Sequence, residues 1–404
     1  MENRSLGGVL LIAGTSIGAG MLAMPLVCAA LGFTTTVVLL VALWCLTTYS
    51  ALLLVEVQQY AEPDTGLTTL AARYLGRRGY WITQTALLWL LYSLTAAYLT
   101  AGGKQLAAQL SQALSWRLAP QQGTLLLTLV TACLVSGGAR LVDTSNRLLF
   151  SLKMVVLLLM LLLIAPCVQS SHLLATPQHP QALLAAIPVL LTAFGFHATL
   201  PSVLHYLEGT VRQWRYVVLA GSAIPLLAYL AWQWAIQGLL DQQYFLAVLA
   251  DLPDLPGLMQ ALQNSGVPSH IGSTVRLFAA LALSTSLLGV TLGLFDHWLE
   301  QFQSSTSRYS RLQAGLCTFL PPLAFALVYP QGFMLALGYA AIALAILALL
   351  LPAALVWKIR QQAEPAPYRV VGGRWALFLV LLCGIVIILL QLAIRTGCLP
   401  TMTH

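Results

Sequence analysis

The 51 residues from Ser5 to Val55 contain no Asp, Glu, Lys or Arg, and this narrows the folds open to the chain more than any other feature. A soluble domain carries roughly 25% charged residues, because its outer faces meet water. Here the whole chain of 404 residues is 59% hydrophobic and only 8% charged. A charge-free run of this length has room for two bilayer crossings of about 20 residues each. The chain therefore reads as an all-α integral membrane protein with the lipid bilayer as its main partner.

Similar apolar stretches recur with polar or charged breaks between them. They predict eleven spans, at 6–30, 34–57, 81–103, 121–138, 148–167, 183–207, 216–240, 275–296, 312–329, 332–357 and 375–395. The longest gap, 241–274, leaves no room for a soluble domain. Within it, residues 255–266 predict a short helix lying on the membrane surface. The first stretch is too long for a signal peptide and no A-x-A site follows Pro25, so it reads as a retained span.

The net charge of +7 is a topology signal and not a nucleic-acid site. With the N-terminus placed inside, fifteen of the 19 basic residues fall on the inner side, and only Lys104, Arg117, Arg276 and Arg395 fall outside. The positive-inside rule then predicts a cytoplasmic N-terminus and, with an odd number of spans, a C-terminus on the far side. The seven cysteines are scattered without a C-x-x-C pair, so neither a metal nor a disulfide framework is expected. No phosphate loop and no nucleophile–base spacing appears, which excludes an ATP-driven pump within this chain and argues against an enzyme. A membrane redox protein would need paired histidines on different helices, and a channel would need a filter of repeated carbonyl loops. Neither is present in the pattern.

Two spans carry a weakness at mid-membrane. Between Gly14 and Gly20 the first reads GTSIGAG, and Gly costs about 1 kcal/mol against Ala in a helix interior. In the sixth, Pro188 and Pro201 bracket AFGFH, residues 193–197. Span starts recur 177 to 194 residues apart, in the same order after five spans. Five is odd, so the halves 1–168 and 183–357 are expected to form an inverted repeat, each led by a discontinuous helix, with 375–396 as an additional helix. Irregular backbone at membrane depth is tolerated only where protein buries it or a wet cavity meets it. A broken helix offers N–H groups to a carboxylate at one half and carbonyls to a cation at the other. Gly18, Ala19 and Gly20 keep side chains out of the way, so a zwitterionic amino acid suits such a pair of breaks.

The stretches GTSIGAGMLAMP, FGFH, LVDTSNRLLFSLK, LGLFDHWLEQF and FLPPLAFALVYPQGF together resemble the bacterial aromatic amino acid permease family. The resemblance implies eleven helices, a LeuT-type five-plus-five repeat with helices 1 and 6 discontinuous, no cofactor, and inner-membrane uptake of tyrosine with protons. It places the unwound segments at Thr15 to Gly20 and Ala193 to His197, with Thr15, Ser16, Gly18, Ala19, Gly20, Phe194, Gly195, Phe196 and His197 as candidate substrate contacts. It also implies an ion-coupling role for Lys153 in the fifth span, facing Thr285 and Ser286 of the eighth, where sodium carriers of that fold hold their ion. A tryptophan or general aromatic carrier, or a sodium-coupled one, remains an alternative at this point.

Several residues have an everyday reading beside the functional one. Tyr92 and Tyr98, deep in the third span, can line an apolar pocket with Phe194 and Phe196 or simply pack the core. His197 can take a hydrogen bond from a phenol or bond a backbone carbonyl. Lys153 can snorkel to the headgroups instead of facing a polar cavity. Glu56, Asp296 and Glu300 close spans near the cytoplasmic side and suit solvated charges or a gate salt bridge. Asp143 with Arg140 and Arg147 suits a shaped loop. Pro321-Pro322 in the ninth span has no functional reading.

Overall fold

A computed structural model describes residues 2–62, 65–114, 118–178, 180–266, 268–303, 310–362 and 367–398. Arg117 and Arg308 of the charge tally lie outside these. The elements are α1 (Glu2–Ser16), α2 (Gly20–Cys28), α3 (Phe33–Gln58), α4 (Leu67–Leu114), α5 (Pro120–Ser136), α6 (Ala139–Ile164), α7 (Ser170–Leu173), α8 (Pro180–Thr192) and α9 (Leu200–Leu207). They continue with α10 (Val211–Leu239), α11 (Gln242–Asp251), α12 (Leu255–Asn264), α13 (Ser269–Gln303), α14 (Ser310–Val328), α15 (Phe333–Ala345), α16 (Leu351–Gln362) and α17 (Gly373–Arg395). No strand occurs among the described residues.

Among those residues, nine helices are long and apolar enough to cross a membrane, or ten if the bent pair α1 and α2 counts as one. The predicted fourth span corresponds to α5, whose 17 residues rise about 25 Å at 1.5 Å per residue. It packs on α4 through small residues: a Cβ at Gly123 would lie 2.2 Å from the carbonyl of Gly103. The third span, predicted at 81–103, lies inside a much longer α4, bent at Gly76, whose φ of 70° suits glycine. The predicted surface helix is α12, and α11 precedes it with Asp241 accepting from the Tyr244 amide at 2.9 Å as its N-cap. Because α13 runs on to Gln303, His297 also lies within a helix, where its ring nitrogen meets the Gln84 amide at 3.1 Å.

Glu56 is not solvated. It is 1% exposed and takes two 2.7 Å hydrogen bonds from Arg360 and a third from the Val370 amide. This joins α3, α16 and the segment before α17. Such a buried carboxylate is stable only when its oxygens are filled in this way. Asp143 pairs with Arg147 one turn on.

Proline in a helix removes an N–H and strands the carbonyl four residues earlier. At three places a side chain from another helix fills that gap. Trp232 donates to the carbonyl of Met21, freed by Pro25, at 3.0 Å. Tyr92 donates to that of Cys317, freed by Pro321, at 2.7 Å. Ser50 donates to that of Ala348, freed by Pro352. In a bilayer no water would supply these bonds, so each such donor fixes one helix against another.

Candidate functional site

Helix α1 stops at Ser16 and α2 begins at Gly20, with a 51° bend across the break. The second interruption falls between Thr192, the end of α8, and a 3₁₀ turn at His197–Thr199 that leads into α9. The two breaks touch: a Cβ on Gly20 would sit 3.3 Å from the Cα of Ala193. Side chains there would hold the two backbones apart.

Side chains from other helices meet three of the main-chain groups at the first break, the Ser16 and Ile17 carbonyls and the Ala19 amide. Lys153 on α6 is 1% exposed, and its ammonium donates to the Ile17 carbonyl at 2.6 Å and to Thr285 Oγ1 on α13 at 3.2 Å. The Phe150 ring lies 4.7 Å from the same nitrogen. Ser286 Oγ accepts from the Ala19 amide at 3.0 Å, and a Cβ on Gly18 would fall 2.5 Å from that oxygen. Lys153 therefore does not snorkel. A cation buried at membrane depth needs such polar partners.

Tyr229 on α10 links the two breaks. Its hydroxyl lies 2.6 Å from the Ser16 carbonyl and 2.7 Å from the Ala193 carbonyl. A phenol has one hydrogen and both neighbours only accept, so it can donate to one of them at a time. The Phe194 ring meets the Tyr229 ring edge-on at a 5.3 Å centroid distance. Phe196 stacks on His197, both fully buried. His197 Nε2 lies 3.0 Å from the Thr47 carbonyl on α3. That nitrogen must carry the hydrogen, because a carbonyl cannot donate. Nδ1, the acceptor in a neutral ring, is buried without a partner.

Thr15 and Gly195 flank the breaks. The Thr15 hydroxyl turns back to the Leu11 and Ile12 carbonyls, and a Cβ on Gly195 would lie 3.1 Å from the Thr192 carbonyl. The Ser16 hydroxyl is buried without a hydrogen-bond partner. Tyr98 is buried in the core of the bundle. The structure does not bring Tyr92 to the breaks. Its phenol is engaged by Cys317 and accepts from Trp298 Nε1 at 2.8 Å, which ties it to Pro321. From Ser286 the exposed face of α13 continues through Gly289, Gly293, Asp296 and Glu300 to the end of the bundle that carries the Arg4–Glu208 ion pair. A Cβ at either glycine would meet nothing within 4 Å.

Sequence reasoning missed Tyr229 and Trp232. Pro25 marks Met21 as a stranded carbonyl, but nothing in the sequence points to the donor 211 residues away. Tyr229 looks like any interior aromatic of its span.

Two interrupted helices in contact, the first bonded by a buried lysine, within a set of span-length apolar helices fit a multi-pass membrane protein. The chain matches the tryptophan/tyrosine permease family over residues 1–391 and belongs to that family. It is similar to tyrosine-specific transport system 1 of Haemophilus influenzae, at 44% identity over 98% of this chain and 99% of that protein. It is also similar to tyrosine-specific transport system 2 of the same organism, at 42% over 99% of each. A tryptophan-specific transport protein of that organism is 33% identical over 98% of each chain. The chain is an amino acid transporter, not an enzyme.

Proposed function

We propose that this chain imports tyrosine across the bacterial inner membrane together with a proton, on a LeuT-type repeat of residues 1–168 and 183–357 followed by an eleventh span at 375–396, with a cytoplasmic N-terminus and a periplasmic C-terminus. The observation that carries the reading is the Lys153 ammonium on the Ile17 carbonyl and Thr285. It supplies a proton carrier at the first break, in contact with the main chain that would hold the substrate.

The substrate carboxylate faces the Gly20 amide at the N-terminus of α2, since the amides of Met21 and Leu22 already donate to the Gly18 and Ala19 carbonyls. Its ammonium faces the carbonyls of Ser16 and Ala193, now shared by the single Tyr229 hydrogen. The ring packs on Phe194 and Phe196, and the phenol donates to His197 Nδ1. The exposed face from Ser286 to Glu300 supports a wet route to the cytoplasm, since Asp296 and Glu300 on a lipid-facing surface would be costly. Loss of the Lys153 proton weakens its hold on Ile17, which couples the proton to the shape of the break.

Proteoliposomes loaded at neutral pH, with sodium absent and only an inward pH gradient imposed, should accumulate labelled tyrosine. Excess unlabelled tyrosine should compete better than tryptophan or phenylalanine. Accumulation that requires sodium, or better competition by tryptophan, would replace the proton or the tyrosine in this reading.

A further inference from the structure

At the end of the bundle away from Arg4 and Glu300, α12 and the turn before it cover a cavity of about 430 Å³. Small-molecule sites run from about 300 to 1,000 Å³. Two of its lining residues each bury an acceptor oxygen without a hydrogen-bond partner. One is Oδ2 of Asp254, a residue only 8% exposed. The other is Oε1 of Gln105 on α4, whose amide nitrogen donates to the Arg276 carbonyl at 2.6 Å. Buried polar groups nearly always find partners, so two unpaired acceptors on side chains beside one cavity would gain from a donor bound there.

The same lining carries two cations, Lys104 beside Asp254 and Arg276 on α13. Met259 and Phe333 provide an apolar wall. Asp254 holds a φ of 70°, a left-handed conformation uncommon outside glycine. Backbone held in this way is typical of ligand clamps. Asp254 also lines a second cavity of about 380 Å³, whose walls include Leu26 and Val27 of α2 and Val189 of α8. Asp254 thus borders both the outer cavity and the space beside α2 and α8.

We infer that the outer cavity is a second binding site for a free zwitterionic α-amino acid, its ammonium held by Asp254 and Gln105, its carboxylate by Lys104 and Arg276, and its side chain against Met259 and Phe333. The site rests on the transport reading above and extends it to a place where substrate waits before reaching the breaks. The ionisable groups around Asp254 are Lys104 on α4, Arg276 on α13 and, across the second cavity, Arg395 on α17. Burial pushes the Asp254 carboxyl up to about 6, against the pull of Lys104 and the Met334 amide. It is ionised at neutral pH, and its grip on an ammonium weakens as the pH falls below that value.

Equilibrium dialysis of the purified full chain with labelled tyrosine tests this. Two tyrosines should bind per wild-type chain and one per Asp254→Asn chain, since Asn keeps the shape and tolerates positive φ. In a cysteine-free chain carrying Met259→Cys and Gly18→Val, tyrosine should slow labelling of the introduced thiol by a membrane-impermeant reagent. Adding Asp254→Asn or Lys104→Gln should weaken that protection about tenfold, the effect of losing one charge-assisted hydrogen bond. One tyrosine in both chains, or no protection, overturns the outer site if wild-type uptake is intact. Equal protection by 3-phenylpropionate, which has no ammonium, makes it an anion site only and also overturns it. Wild type that neither binds nor moves an amino acid overturns the transport reading itself.

Discussion

The two breaks differ in what they show each other. The first is built from Gly, Ala, Ser and Thr, and side chains from α6, α10 and α13 hold its main-chain groups. The second is built from rings, and of its main-chain groups the Ala193 carbonyl is the one Tyr229 reaches. A surface of bare amides and carbonyls recognises what every amino acid shares. In the proposed reading, Phe194, Phe196 and His197 meet what distinguishes one from another. Damage to the first break should therefore be blind to the substrate side chain, and damage to the second should depend on it.

The largest effect is expected from Gly18→Val. Its Cβ would meet Ser286 Oγ at 2.5 Å, inside any normal contact, and the branched methyls would occupy the approach to the α2 N-terminus. Overpacking of this kind costs about 1–3 kcal/mol even where a core can give. Uptake of tyrosine, tryptophan and phenylalanine should be lost together, while the amount of protein in the membrane fraction stays at the wild-type level. If one of the three is still taken up, the first break is not a side-chain-blind surface.

Lys153→Gln comes next. It should leave tyrosine exchange between the two sides of a vesicle but abolish accumulation against a gradient, because a neutral amide carries no proton across. Lys153→Arg should fail likewise, since a guanidinium stays charged. Both losses should again be the same for all substrates. Accumulation by either variant under a pH gradient alone removes Lys153 from the coupling role.

How far these features were legible follows from which residues leave a mark in the sequence. Gly14 to Gly20 and the AFGFH stretch stand out because they are poor helix inside apolar spans, and a helix interruption does fall within each. Lys153 stands out as a charge in an apolar run, and of the two groups the family resemblance sets opposite it, Thr285 bonds it while Ser286 bonds the Ala19 amide instead. What the sequence hides is which way an ordinary residue faces. Tyr92 and Tyr98 are six positions apart on α4, yet one serves Cys317 and the other is buried in the core. Prolines are half legible: each names the carbonyl it strands, but the donor comes from a remote helix. Pro321, which alone has no functional reading, and Tyr92, which the sequence allows in a pocket or in the core, explain each other. Asp254 gave no signal, because one acidic residue in a loop looks the same whether buried or solvated.

Tyr229→Phe tests where the two breaks meet. Removing the hydroxyl leaves both the Ser16 and Ala193 carbonyls without their shared donor. A buried acceptor left unsatisfied costs about 1–3 kcal/mol. Tyrosine and phenylalanine uptake should both fall roughly tenfold, which corresponds to about 1.4 kcal/mol. If the hydroxyl only holds the place of the substrate ammonium, binding should tighten instead, and equilibrium binding measured beside uptake separates the two outcomes.

The smallest effect, and the most informative about the second break, is expected from His197→Leu. Two roles are open to the imidazole. Through Nε2 it supports the Thr47 carbonyl on α3, which any substrate would feel. Through the unpaired Nδ1 it can accept from a phenol, which only a hydroxylated ring would feel. A hydrogen bond between neutral groups contributes about 0.5–1.5 kcal/mol, so tyrosine uptake should fall about two- to tenfold. Phenylalanine uptake should hold or improve, because the leucine adds apolar surface where no polar partner is needed. Competition between labelled tyrosine and unlabelled phenylalanine reads the ratio directly, free of differences in expression. An equal fall for both would assign His197 to Thr47 alone. The second break would then discriminate by ring packing on Phe194 and Phe196, with no hydroxyl reader.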